Sequence, residues 1–200
     1  METRPSPRRL LALATSLVAL VAVAALESGC GGGAGVQAAA KKPPTVVKYS
    51  SSFLSFTHPS TWKAYPAKGE FHFNPLVYLS TQAVHDPCTT TGNTTSCGFP
   101  VDELAPGGVL VSWLYGGPPA VTLGSGKRIR VGGRPATIAD TAGGMCSQIH
   151  ADRTIDVRVA VQPLPSALLE LTACLRGPNL AQERKSVDAL LASTRFDFSQ

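Results

Sequence analysis

The chain has little of what catalysis or nucleic-acid binding asks of a sequence. Its five cysteines, at positions 30, 88, 97, 146 and 174, form no CxxC, and its four histidines, at 58, 72, 85 and 150, form no HxxxH pair. Neither of these common zinc-site spacings is therefore present, and no metal or other cofactor is expected. No serine sits in a GxSxG. In LGSGK the glycines touch Ser125 directly, so the strained turn that exposes a nucleophile is missing. The same run continues into Arg128, where a phosphate loop needs the Ser or Thr that holds Mg²⁺. Charged residues are scarce, at 16%, with 18 basic against 13 acidic. Residues 1–29 hold three arginines and two glutamates, so the formal +5 becomes +4 for the remainder. So small and scattered a surplus argues against nucleic acid as a partner.

What the sequence has in abundance begins at its N-terminus. Arg4, Arg8 and Arg9 precede LLALATSLVALVAVAAL, residues 10–26, which carries no charge. A basic head, an apolar run and then small residues make the layout of a secretory leader over residues 1–29. The sequence leaves three fates open after export. Ser28-Gly29-Cys30 resembles the lipidation site of bacterial lipoproteins, with Leu26 displaced one position by Glu27. A general signal peptidase would instead cut after Ala38 or Ala40, far beyond the apolar run. The run would otherwise remain as an uncleaved anchor, its basic head on the cytoplasmic side. The first fate places a diacylated Cys30 in the bilayer, and two acyl chains suffice for stable anchoring. The segment 30–47, glycine-rich and ending near Pro43-Pro44, then reads as a tether, with the chain lipid-anchored at the extracytoplasmic face of the cell membrane.

Setting Cys30 aside leaves an even number of cysteines, as expected in an oxidising compartment. Four cysteines admit three pairings. Cys88 with Cys97 closes CTTTGNTTSC, a polar loop with nothing apolar to hold it, and Cys146 with Cys174 joins two strand candidates distant in sequence. These two are the expected bonds.

Residues 48–200 read as a single α+β domain, long enough to own a core. GGVLVSWLYGG, a continuous apolar run between glycine pairs, suggests a strand buried on both faces. FHFNPLVYLST contains a proline and suggests a bent or edge strand. KRIRV and RPATIAD flank Gly132-Gly133 as the arms of a hairpin. TIDVRVAVQ alternates, with Ile155, Val157, Val159 and Val161 inward. ALLELTACLRG alternates too, with Leu169, Leu171, Ala173 and Leu175 inward and Cys174 on the other face. GPNLAQERKSVDALLAST predicts an amphipathic C-terminal helix. Asn179 and Gln182 stand at capping positions, Leu180, Val187, Leu190 and Leu191 form the apolar stripe, and Glu183, Lys185 and Asp188 face water.

Two segments carry a resemblance. FLSFTHPSTW, residues 53–62, and VDALLASTRF, residues 187–196, resemble the opening strand–Pro-Ser–Trp and the closing helix–strand of PsbP-like domains. The resemblance covers the two ends of the domain. It implies an antiparallel sheet packed with helices as an α/β/α sandwich, and a binding or assembly module in place of an enzyme. No functional residue of that family maps onto this chain. The partner would be an envelope protein, a wall polymer or a small ligand, and Trp62, Tyr65, Trp113 and Tyr115 are the aromatics available to it. Lys127, Arg128, Arg130 and Arg134 form the densest basic run, a solvated hairpin face or an anion site. The alternative is a hydrolase or metal-dependent enzyme without a recognisable motif, for which His85-Asp86 is a polar pair to inspect. Asn93 sits in a glycosylation-type NTT sequence.

Overall fold

The computed structural model describes residues 45–66, 75–115, 123–161 and 167–197. The expected leader, Cys30 and most of the tether lie outside the described residues. Among the described residues twelve strands, a short 3-10 helix and one α-helix follow in order. The first, β1 (Val46–Ser50), begins inside the span expected to be tether, and it pairs along its full length with β2 (Leu54–Pro59).

The main sheet is antiparallel and has seven strands. It starts with β3 (Lys63–Pro66) and β4 (Pro75–Ser80); the separate hairpin β5 (Cys88–Thr91) and β6 (Thr94–Cys97) intervenes in the chain. The remaining members are β7 (Val109–Tyr115), β8 (Lys127–Val131), β9 (Arg134–Ala142), β10 (Arg153–Val161) and β11 (Ala167–Leu175). The spatial order is β3-β4-β7-β11-β10-β9-β8. The proline-containing strand β4 is therefore not at an edge. It lies between β3 and β7, with Pro75 at its first position and a register shift between Pro75 and Val77. At that position proline's missing N–H removes the fewest ladder bonds, and the irregularity supplies the expected bend.

One face of this sheet carries the larger core. Val77 and Leu79, Val109, Val111 and Trp113, Leu169 and Leu171, and Ile155, Val157 and Val159 are all essentially inaccessible. Over them lie β2, through Leu54 and Phe56, and α1 (Leu180–Ser193), through Val187, Leu190 and Leu191. The chain closes with β12 (Arg195–Phe196), which pairs with β2. Phe196 meets Trp113 edge-on at 6.0 Å. Trp62, whose N–H closes a turn onto the Pro59 carbonyl at 3.0 Å, completes this core. The fold is thus mainly antiparallel β, with one C-terminal helix. Among the described residues, the opposite face of the sheet carries loops and the 3-10 helix where a second α-helical layer was expected.

Two helix details differ from expectation. The Asn179 side chain makes no cap bond; its backbone carbonyl accepts from the Gln182 and Glu183 N–H groups at 2.9 and 3.0 Å. Glu183 is half-buried, and that burial raises its pKa above the usual carboxylate value against the opposing pull of the Trp62 indole. Ion pairs fix the helix laterally, since both Arg184 and Arg153 of β10 reach Asp140 on β9.

The β8–β9 turn is set by Gly132 and Gly133, at φ 54° and 78°. Two successive positive φ angles are what a two-residue hairpin of matching twist requires. A Cβ on Gly132 would also meet the Phe196 ring at 2.7 Å. Gly132→Ala is therefore expected to cost more than about 1 kcal/mol, from backbone strain and displacement of Phe196. Leu190→Asp is expected to abolish folding. An unpaired carboxylate buried under α1 costs several kcal/mol, a large part of the roughly 5–15 kcal/mol that holds a domain together. Urea unfolding followed by circular dichroism checks both; wild-type midpoints would contradict the packing described.

Candidate functional site

The functional candidate lies on the second face of the sheet and follows from strand register. Side chains that alternate away from the large core line up in rows across the sheet. Tyr78, Ser112, Thr172, Asp156 and Ala139 form one row, and Pro75, Leu114, Glu170, Arg158 and Thr137 the next. A third row, Ser80, Leu110, Cys174, Thr154 and Thr141, lies towards the other end.

That third row is roofed over. The 3-10 helix, Gly144–Ile149, sits on it, fastened by the Cys146–Cys174 disulfide with a Cα–Cα distance of 5.4 Å. The Thr154 hydroxyl accepts from the Cys146 N–H at 3.1 Å and donates to the Gly143 carbonyl. A second, smaller core forms beneath, from Val101, Leu104, Leu110, Cys146, Ile149, Ala151 and Cys174. Cys174 is fully buried there, so the bond pins the second face, as its place in the alternation of β11 implies, and lies outside the larger core. The 101–108 loop joins this roof. The Leu104 N–H donates to the Ile149 carbonyl at 2.9 Å, and Glu103 contacts His150 at 3.1 Å and Arg176 at 2.6 Å. Hydrogen bonds from Arg176 and His150 hold the Glu103 carboxyl below its ordinary pKa.

The β5–β6 hairpin stands alongside. Cys88 and Cys97 face each other across it and are bonded, so both expected disulfides are present. Asn93 is exposed in its turn, after Gly92 at φ 60°.

The other two rows stay open and form the floor of a trough. It has two adjoining compartments that share Leu114, Met145 and Thr172. The first, about 260 Å³, lies between the hairpin and the 3-10 helix; Tyr78, Phe99, Pro100, Leu110 and Met145 line it, and among the described residues no charged one does. The second, about 420 Å³, continues over Thr137, Asp156, Arg158 and Glu170, with Ser125 at its rim. Arg158 pairs with Glu170 at 3.3 Å, and the Thr172 hydroxyl donates to Asp156 at 3.0 Å. Burial raises the Tyr78 phenol, with the Asp86 charge adding to the shift.

Apart from the disulfide cysteines and Ser125, the residues singled out from sequence fall elsewhere. Strand alternation distributes Lys127, Arg128, Arg130 and Arg134 over the two sides of the β8–β9 hairpin. Lys127 is paired with Ile138 on the helix side, whereas Arg128 and Arg130 are paired with Thr137 and Pro135 on the other side. Arg130 donates to the Gly133 carbonyl at 2.8 Å, and Arg134 pairs with Val131 next to the turn. Trp62 and Trp113 are buried in the larger core, and Tyr65 donates to the Gln82 carbonyl at 3.3 Å. His85 lies 3.8 Å from Asp102, while Asp86 accepts from the Cys88 N–H, so these neighbours in sequence have different partners. His58 is buried on β2 with Nδ1 2.9 Å from the Pro59 carbonyl, and His72 lies outside the described residues. Among the described residues, no group of three His, Cys, Asp or Glu side chains is placed to hold a metal. Tyr78, Phe99 and Met145 were not read from sequence, although the inward Val77 and Leu79 already place Tyr78 on the second face.

The depressed Glu103 pKa sets a pH test. Such a group stabilises the fold above its unfolded pKa, and the contribution is lost as pH falls through the lower folded value. Glu103→Gln is expected to lower the unfolding midpoint slightly at neutral pH, with the difference vanishing on acidification below the ordinary carboxylate range. A gap that persists in acid would contradict the ion-pair assignment. Comparison of the chain with family models, with characterised proteins and with solved structures finds no match.

Proposed function

We propose that the chain is an extracytoplasmic lipoprotein, tethered to the cell membrane through an acylated Cys30, whose β domain is a binding or assembly module and not an enzyme. The observation that carries the reading is the trough. Its first compartment presents apolar side chains beside an exposed Met145, which is 52% accessible. A concave apolar site with a few polar groups at one end is the usual form of a ligand or peptide site. Both disulfides border it, through Cys88, Cys97 and Cys174, which suits work in an oxidising compartment. The PsbP-like reading draws support from the buried Trp62 after the Pro-Ser turn and from α1 running directly into β12.

Two experiments test the two halves of this reading. Cys30→Ala is expected to release the chain from membranes on fractionation; retention would point to an uncleaved anchor. A photo-crosslinking residue at position 145 is expected to give a discrete adduct in native membranes, identifiable by mass as protein, polymer or small molecule. The same residue at position 185, on the exposed side of α1, is the control. Equal labelling from both positions, or none from 145, would overturn the assignment of the trough.

A further inference from the structure

The charges in the trough are not balanced, and this bears on the ligand. Among the described residues the apolar compartment has no charged lining side chain, so it suits the body of a molecule and not its head. The polar compartment holds Asp156, Glu170 and Arg158. Arg158 and Glu170 neutralise each other at 3.3 Å. Asp156 is left with the Thr172 hydroxyl at 3.0 Å, and among the described residues no basic side chain forms an ion pair with it. Arg128, one strand beyond Thr137, lines neither compartment. The two compartments, about 260 and 420 Å³, together fall inside the roughly 300–1,000 Å³ of small-molecule sites.

We infer that the trough binds a small amphiphile with a cationic amine head, its apolar body along Leu110 and Met145 and its ammonium against Asp156. This rests on the reading of the trough as a binding site. A half-buried carboxylate without a counter-charge attracts a cation more strongly than a solvated one does. It repels a carboxylate head, and it offers a neutral alcohol only a hydrogen bond. The amine is either a free molecule or the headgroup of an aminolipid.

Met145 is the only methionine besides Met1, so a methyl-labelled chain reports from the trough itself. The full chain is reconstituted in nanodiscs of phosphatidylglycerol, which carries no amine, and titrated with hexylamine, hexanol and hexanoate. The Met145 methyl is expected to shift with hexylamine at an affinity about tenfold above that for hexanol, with hexanoate weakest. Asp156→Asn, which keeps an oxygen for Thr172, is expected to erase the preference for the amine and leave hexanol unchanged. In nanodiscs containing phosphatidylethanolamine, a methyl already shifted before titration identifies the lipid headgroup as the source; an unshifted methyl that still responds to hexylamine identifies a free amine. Hexanoate binding as tightly as hexylamine in the wild type would overturn the inference without recourse to any variant, as would an Asp156→Asn chain that keeps its amine preference. Either result, with hexanol still bound, leaves the binding module standing. A methyl unmoved by all three compounds overturns the small-amphiphile inference and leaves the binding module to the crosslinking test at position 145.

Discussion

The Cys146–Cys174 bond is the constraint on which the second face depends. The large core needs no covalent help, because a sheet face and an amphipathic helix bury each other. On the opposite face the cover is a six-residue 3-10 helix and a loop, elements too short to stand by their own hydrogen bonds. The disulfide joins that helix to the central strand β11 and closes a separation of 28 residues. Loop closure of this size contributes about 2–4 kcal/mol on the chain-entropy account. That is enough to hold a small apolar cluster of Leu104, Leu110, Ile149 and their neighbours against the sheet.

From this follows the position of the trough. One row of the second face is roofed, and the next two are not. The hairpin closed by Cys88–Cys97 then gives the open part a wall. The result is a site made from rigid strands below and disulfide-held loops around it, a form in which loops carry recognition and a scaffold positions them. Its character changes along its length because the rows themselves change. Tyr78 on β4 and Leu114 on β7 give way to Glu170 on β11 and to Asp156 and Arg158 on β10.

The parts legible in the sequence were those with a period. Alternation in β10 and β11 placed Ile155–Val161 and Leu169–Leu175 on the core face, and put Cys174 on the other. Helical spacing found Val187, Leu190 and Leu191, and the glycine pair found the β8–β9 turn. What had no period was harder to read. GMCSQI carries no amphipathic signal that would announce a roof. The proline in β4 suggested a bent or edge strand; the irregularity between Pro75 and Val77 is the bend, and the proline's place at the strand's first residue lets the strand lie inside the sheet. The basic run 127–134 looked like one patch because it is contiguous in sequence, yet successive residues of a strand point to opposite faces. Met145 and Phe99 come from non-periodic segments, and only their neighbours in space give them meaning.

The central claim is that one disulfide holds the roof while the sheet stands without it. Amide hydrogen exchange in a Cys146→Ala/Cys174→Ala chain addresses it most directly. Exchange should accelerate at Leu104 and Ala151, whose N–H groups bond to Ile149 and Cys146. Ile155–Val159 and Leu169–Ala173 should keep their wild-type protection. Uniform loss of protection across the sheet, or an unchanged roof, would contradict the account.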